Sequence, residues 1–116
     1  MAVLTRTQIE QARQLPREVV PVPELGGDVI VQGMSGTERE AWEASIFDAE
    51  GNRRDPQDRH FRARLVIRSV VDDAGQRLFA DDDVELVSAF RYDILNRLFT
   101  VAQRLSRVGG GSGEAL

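Results

Sequence analysis

Residues Phe61 to Glu85 read FRARLVIRSVVDDAGQRLFADDDVE, and the fold depends on how that stretch divides. It opens as an arginine-studded apolar segment and breaks at Asp72-Asp73-Ala74-Gly75. Ala63, Val66, Ile67 and Val70 recur at helical spacing, with Phe61 and Leu65 broadening the stripe. Upstream, Asp55-Pro56 has the form of a helix cap followed by proline at the first helical position. The spacing therefore predicts a helix from Asp55 to about Val71. The β-branched run LVIRSVV also allows a strand, but its apolar positions do not simply alternate. Arg77-Leu78-Phe79 is long enough only for a brief extended piece, pairing near Val70 and Val71 or pinning Leu78 and Phe79 to the core.

Asp82 and Glu85 then have capping-box spacing, with aspartate as the cap. Val84, Val87, Phe90, Ile94, Leu98, Val101, Leu105 and Val108 keep helical phase almost to the end. This is one long helix, or two if Asp93 restarts it after Phe90-Arg91-Tyr92. Leu95 and Phe99 fall off the main stripe and are expected to form a second apolar edge facing a partner. Gly109 to Gly111 lie in a Gly-rich stretch, and residues 108–116 read as a flexible tail.

The N-terminal half is organised differently. Thr7 and Glu10 have the spacing of a capping box, predicting a short helix to Gln14 that Pro16 ends, with Ile9 and Ala12 inward. Residues 1–16 thus form an arm, and 17–107 form one globular domain. Val20 and Val22 alternate with polar or proline positions, as do Val29 and Val31, across a Leu25-Gly26-Gly27 turn. Pro21 and Pro23 cannot donate ladder hydrogen bonds, so the first strand belongs at a sheet edge. A hairpin alone is marginal and must pack on helices. Ser35-Gly36-Thr37-Glu38 is another capping box, opening a helix to about Asp48 that faces inward through Ala41, Trp42, Ser45, Ile46 and Ala49. Gly51 suits the left-handed helix stop. The fold class is α+β and mainly helical: an N-terminal hairpin packed on a small bundle of about four helices.

A chain of 116 residues supports one core. With 41% hydrophobic and 29% charged residues it has an ordinary globular composition. Cysteine is absent, which excludes disulfides and thiolate metal sites and favours an intracellular life. No apolar run reaches a membrane span, and the N-terminus lacks the apolar region of a secretory signal. All 15 basic residues are arginine, yet the net charge is −4, against the basic excess that phosphate binding needs.

Catalytic chemistry finds little to work with. His60 is the sole histidine and has no nucleophile beside it in sequence. Gly33-Met34-Ser35-Gly36 is half a nucleophile elbow, but Thr37 occupies the final glycine position and Ser35 serves better as a cap. The glycine-rich tail lacks the lysine and the following helix of a phosphate-binding P-loop. Asp72-Asp73 and Asp81-Asp82-Asp83 are consecutive, whereas calcium loops stagger their carboxylates. They read instead as a turn and a helix start. No cofactor is expected. Arg53, Arg54, Arg59, Arg62, Arg64 and Arg68 make a locally basic region, in which Arg64 and Arg68 share a helix face. Asp55–Arg59 and Asp58–Arg62 have the spacing of intrahelical ion pairs, so a solvated, partly paired face is the plainer reading.

The order of these pieces resembles the tail assembly chaperone family of long-tailed bacteriophages and related prophages. The residues that carry the likeness are VPVPELGGDVIVQGMSGTERE, RARLVIRSVVDDAGQRLFADDDVELV and ILNRLFTVAQRLS, within Leu15 to Ser106. The resemblance implies a non-enzymatic role: binding the long, helical, aggregation-prone tape measure protein and keeping it soluble before the tail tube polymerises. It implies work in the host cytoplasm and absence from the finished virion. It further implies a longer form made by ribosomal frameshifting that recruits tail tube subunits; Gly109-Gly110-Gly111 stands where that junction would fall, or is simply the tail. On this reading Arg64 and Arg68 engage acidic residues of the partner, and Leu95 and Phe99 supply apolar contact. Nucleic acid and membrane are not expected partners, and homo-oligomerisation stays open. The alternative is a small head–tail connector, which would remain in the particle. A nucleic-acid-binding regulator and an enzyme follow.

Overall fold

The structure is a computed structural model and describes residues 2–11 and 14–108. In chain order it contains α1 (Arg6–Gln11), β1 (Arg17–Val22), β2 (Gly27–Gln32), α2 (Gly36–Ile46) and α3 (Phe61–Ser69). These are followed by β3 (Val70–Val71), α4 (Val84–Ser88) and α5 (Tyr92–Ser106). The architecture is α+β, as the sequence reading expects, with a third strand added to the hairpin.

The hairpin pairs antiparallel from Arg17↔Gln32 to Val22↔Gly27. Sheet order β1-β2-β3 leaves β1 at an edge, where the missing N–H of Pro21 does no harm, while Pro23 starts the turn. Alternation sends Val20, Val22 and Val31 into the core. The connection is one 3-10 turn, Pro23–Leu25, closed by Gly26 at φ 84°. A side chain would be strained at that angle.

The stretch from Phe61 divides later and shorter than its sequence suggests. Residues 55–60 are not helical. The Asp55 carboxylate accepts the Gln57 N–H, Asp58 accepts that of His60, and the helix begins only at Phe61. It ends at Ser69 rather than Val71, because Val70 and Val71 turn extended and pair with Val31 and Ile30. The helix and strand readings of LVIRSVV are thus both realised, split at Ser69. Beyond β3, the Asp72 carboxylate accepts the N–H groups of Ala74 and Gln76, so the turn folds on itself. The expected brief pairing is present: Arg77 bridges Val71, and the Leu78 N–H bonds the Val70 carbonyl at 3.1 Å.

Other boundaries shift for similar local reasons. The N-terminal box is Thr5 with Gln8, not Thr7 with Glu10, since Glu10 pairs with Arg6 at 2.7 Å. Ile9 is exposed rather than inward, and Ala12 lies outside the described residues. Ser35 caps α2 by accepting the Glu38 N–H, as expected. That helix stops at Ile46, with Ala41 and Ala49 exposed, and Gly51 takes its left-handed angle in the following turn. At the α4 entry it is Asp83, not Asp82, whose carboxylate accepts the Ala80 N–H. Two helices form where one was possible, with a break at Ala89–Arg91. Helix α5 closes with Arg107 left-handed (φ 54°) and the Val108 N–H on the Gln103 carbonyl. With the Arg107 N–H on the Arg104 carbonyl, these two hydrogen bonds satisfy carbonyls of the last turn and tuck Val108 into the core. Residues 109–116 lie outside the description.

Helix α5 packs against α3 on one side and the hairpin strands on the other. Trp42, Leu65, Val66, Val31 and Val87 are fully buried around it. Gly33 permits the closest approach: a Cβ there would stand 2.9 Å from the Leu105 carbonyl oxygen and 3.0 Å from Pro16.

Candidate partner-binding surface

The arginine face of α3 is present but largely engaged within the chain. Arg64 bonds Asp58 at 2.7 Å, and this contact draws the Asp58 carboxyl below the usual range. Arg68 spans Glu38 and Asp81, both at 3.0 Å, with its own side chain only 9% exposed. Arg77 joins the same cluster at 2.8 Å, and its hydrogen bond is the main cause of a lowered Asp81 pKa. Arg64 and Arg68 do share a face, around a cavity of about 50 Å³ with Ser45, Ile67 and Asp81. The expected Asp58–Arg62 pair is replaced, because Asp58 precedes the helix. Arg62 instead lies 5.3 Å from the centroid of Phe99 and 5.6 Å from that of Tyr92, and donates to Asn96.

Leu95 and Phe99 do not form an exposed edge. They are 8% and 7% exposed and belong to the main core. Phe99 meets Phe61 edge to face at 5.8 Å, and Phe61 meets Trp42 in the same way. The physical reason is that α5 is covered on two sides, so residues one step off its main stripe are buried by the second neighbour.

A different surface is left uncovered. Along β2, strand β3 pairs only with Ile30 and Val31, so Gly27–Val29 have no third-strand neighbour among the described residues. Beside them lies a groove of about 330 Å³. Buried Val70, Val71 and Leu98 form its floor, and Leu25 and Leu78 stand in its walls, 62% and 58% exposed. Phe79 and Phe90, edge to face at 6.0 Å, also line it. Asp28, Asp72 and Asp73 supply its charge, and no arginine lines it. The hairpin tip that carries Leu25 is held on α5 by Arg97. This side chain bonds both carboxylate oxygens of Glu24 (3.1 and 2.8 Å) and the Pro21 carbonyl. The Arg97 hydrogen bond, then the backbone N–H that Glu24 itself accepts, holds the Glu24 pKa down at about 2.

A family model described as phage tail assembly chaperone matches residues 5–114. The chain belongs to that family. Its fold is similar to the structure of the bacteriophage HK97 tail assembly chaperone, with a TM-score of 0.60. That likeness has 21% identity and covers 87% of this chain and 98% of the other, and at such identity it speaks to the fold alone. No curated protein matches the sequence. The family is one of assembly factors rather than enzymes. One pair that the sequence could not bring together, His60 Nδ1 and Ser88 Oγ at 2.8 Å, ties the start of α3 to the end of α4. The groove was equally out of reach of sequence reasoning. Its residues come from five separate stretches of the chain.

Proposed function

We propose that this chaperone binds the tape measure protein and keeps it soluble while the tail is built, acting in the host cytoplasm and leaving before the virion is complete. The observation that carries the reading is the groove, an apolar surface with two exposed leucines that the monomer leaves uncovered. Such surfaces mark protein contacts when bounded by polar groups. A chaperone for long amphipathic helices needs to cover an apolar stripe reversibly without enclosing the chain, and a groove open at the surface does so. The partner contact proposed here is therefore moved from Leu95 and Phe99, which hold the core, to Leu25 and Leu78. Arg64 and Arg68 are mainly ties between α3, α2 and the α4 entry. A frameshifted longer form, extending past the glycine run to recruit tube subunits, is part of the same proposal.

Co-expression tests it. The tape measure protein encoded with this chain should shift from pellet to supernatant when the chain is present and co-purify with it. Unchanged partitioning would refute the proposal. Mass spectrometry of purified virions should show the chain missing; stoichiometric retention would favour a head–tail connector.

A further inference from the structure

We infer that the groove selects an apolar helical segment flanked by basic side chains. Three carboxylates and no cation line it, in a chain that carries 15 arginines. Asp28 and Asp73 are exposed, and Asp72 is fixed by two N–H groups of its own turn. Of the arginines near the groove, Arg97 is drawn to Glu24, and Arg77 to Asp81 and the Ile67 carbonyl. Arg17 donates to Gln32 and to the Asp73 backbone carbonyl rather than to a lining carboxylate. A ligand with acidic flanks would meet like charge on desolvation, whereas lysine or arginine flanks would meet carboxylates that form no ion pair within the described residues. At about 330 Å³ the groove is at the small end of ligand pockets. It suits a few side chains of a helical stripe rather than a whole helix. Strand addition within the groove has little room, since on that side of β2 only Gly27–Val29 lack a neighbour.

The inference rests on the chaperone reading only for the biological identity of the segment, and its test avoids the tape measure protein altogether. Two synthetic peptides of about 18 residues, long enough to hold a helix, carry the same leucine stripe, one flanked by lysine and one by glutamate. Binding to the full chain is measured by fluorescence anisotropy at low and high salt. The lysine peptide should bind about tenfold more tightly at low salt, and the gap should close as salt rises. Asp28→Asn with Asp73→Asn should remove the preference, while Leu78→Ser should weaken both peptides. Equal binding of the two peptides, binding of neither, or indifference to the asparagine pair would overturn the inference. So would binding that appears only after residues 2–11 are removed, because the groove would then belong to the chain's own arm, with its exposed Val3, Leu4 and Ile9. Failure here with success in co-expression would leave the chaperone reading intact and the charge preference wrong.

Discussion

Helix α3 carries three arginines in nine residues, whereas the groove beside β2 has three aspartates and no arginine in its lining. In sequence the first region looks like the place where a partner would bind. In space Arg64 and Arg68 are bound to Asp58, Glu38 and Asp81, and the helix's apolar stripe is buried. The groove carries as many charges but leaves two leucines and its three aspartates exposed. Charge density along a chain measures demand for pairing as much as supply to a partner. A surface becomes available for binding when its groups have not found one another.

The contrast can be broken most forcefully at α5. Phe99→Ala should destabilise the fold by about 3–5 kcal/mol, the range for a large buried aromatic. Urea unfolding followed through Trp42, the sole tryptophan and fully buried, reads this directly. A change within about 0.5 kcal/mol, as for an ordinary surface substitution, would restore Phe99 to the surface. Next comes the arginine helix. Arg68→Ala should cost about 1–3 kcal/mol, below a fully buried pair because Glu38 and Asp81 can regain water. If stability were untouched while partner solubility fell, the arginine face would be the contact after all.

A smaller effect sharpens the groove's side of the comparison. Glu24 has its pKa lowered from 4.5 to about 2 by Arg97. The tie between hairpin tip and α5 is therefore fully present above pH 4.5, and its contribution fades as pH falls toward 2. Glu24→Gln should lower thermal stability above pH 4.5, where the tie is intact, and converge on the original as pH falls toward 2, so that its acid limb is flatter. An identical acid limb in the variant would mean that the clamp does not hold the groove wall.

How much of this was legible in the sequence differs by kind. The hairpin, the edge position of β1 and the Ser35 cap follow from local chemistry, and their signals lie within a few residues. Where α3 ends does not, because Val70 and Val71 answer to Ile30 and Val31, about forty residues earlier. The Asp55-Pro56 start signal failed because aspartate caps turns as readily as helices. Leu95 and Phe99 were misplaced because a helical stripe reveals one buried face, and α5 has two neighbours. The groove was invisible because Leu25, Val29, Val71, Leu78 and Leu98 meet only after the sheet and α5 have packed.

Two variants decide between the groove and the arginine helix as the proposed partner contact. Leu25→Ser with Leu78→Ser, both on exposed side chains, should leave unfolding within about 1 kcal/mol of the original. Set beside Arg64→Gln in the same co-expression, the leucine pair should return the tape measure protein to the pellet while the arginine variant keeps it soluble. The reverse outcome, a soluble partner with the leucine pair and an insoluble one with Arg64→Gln, would contradict the account.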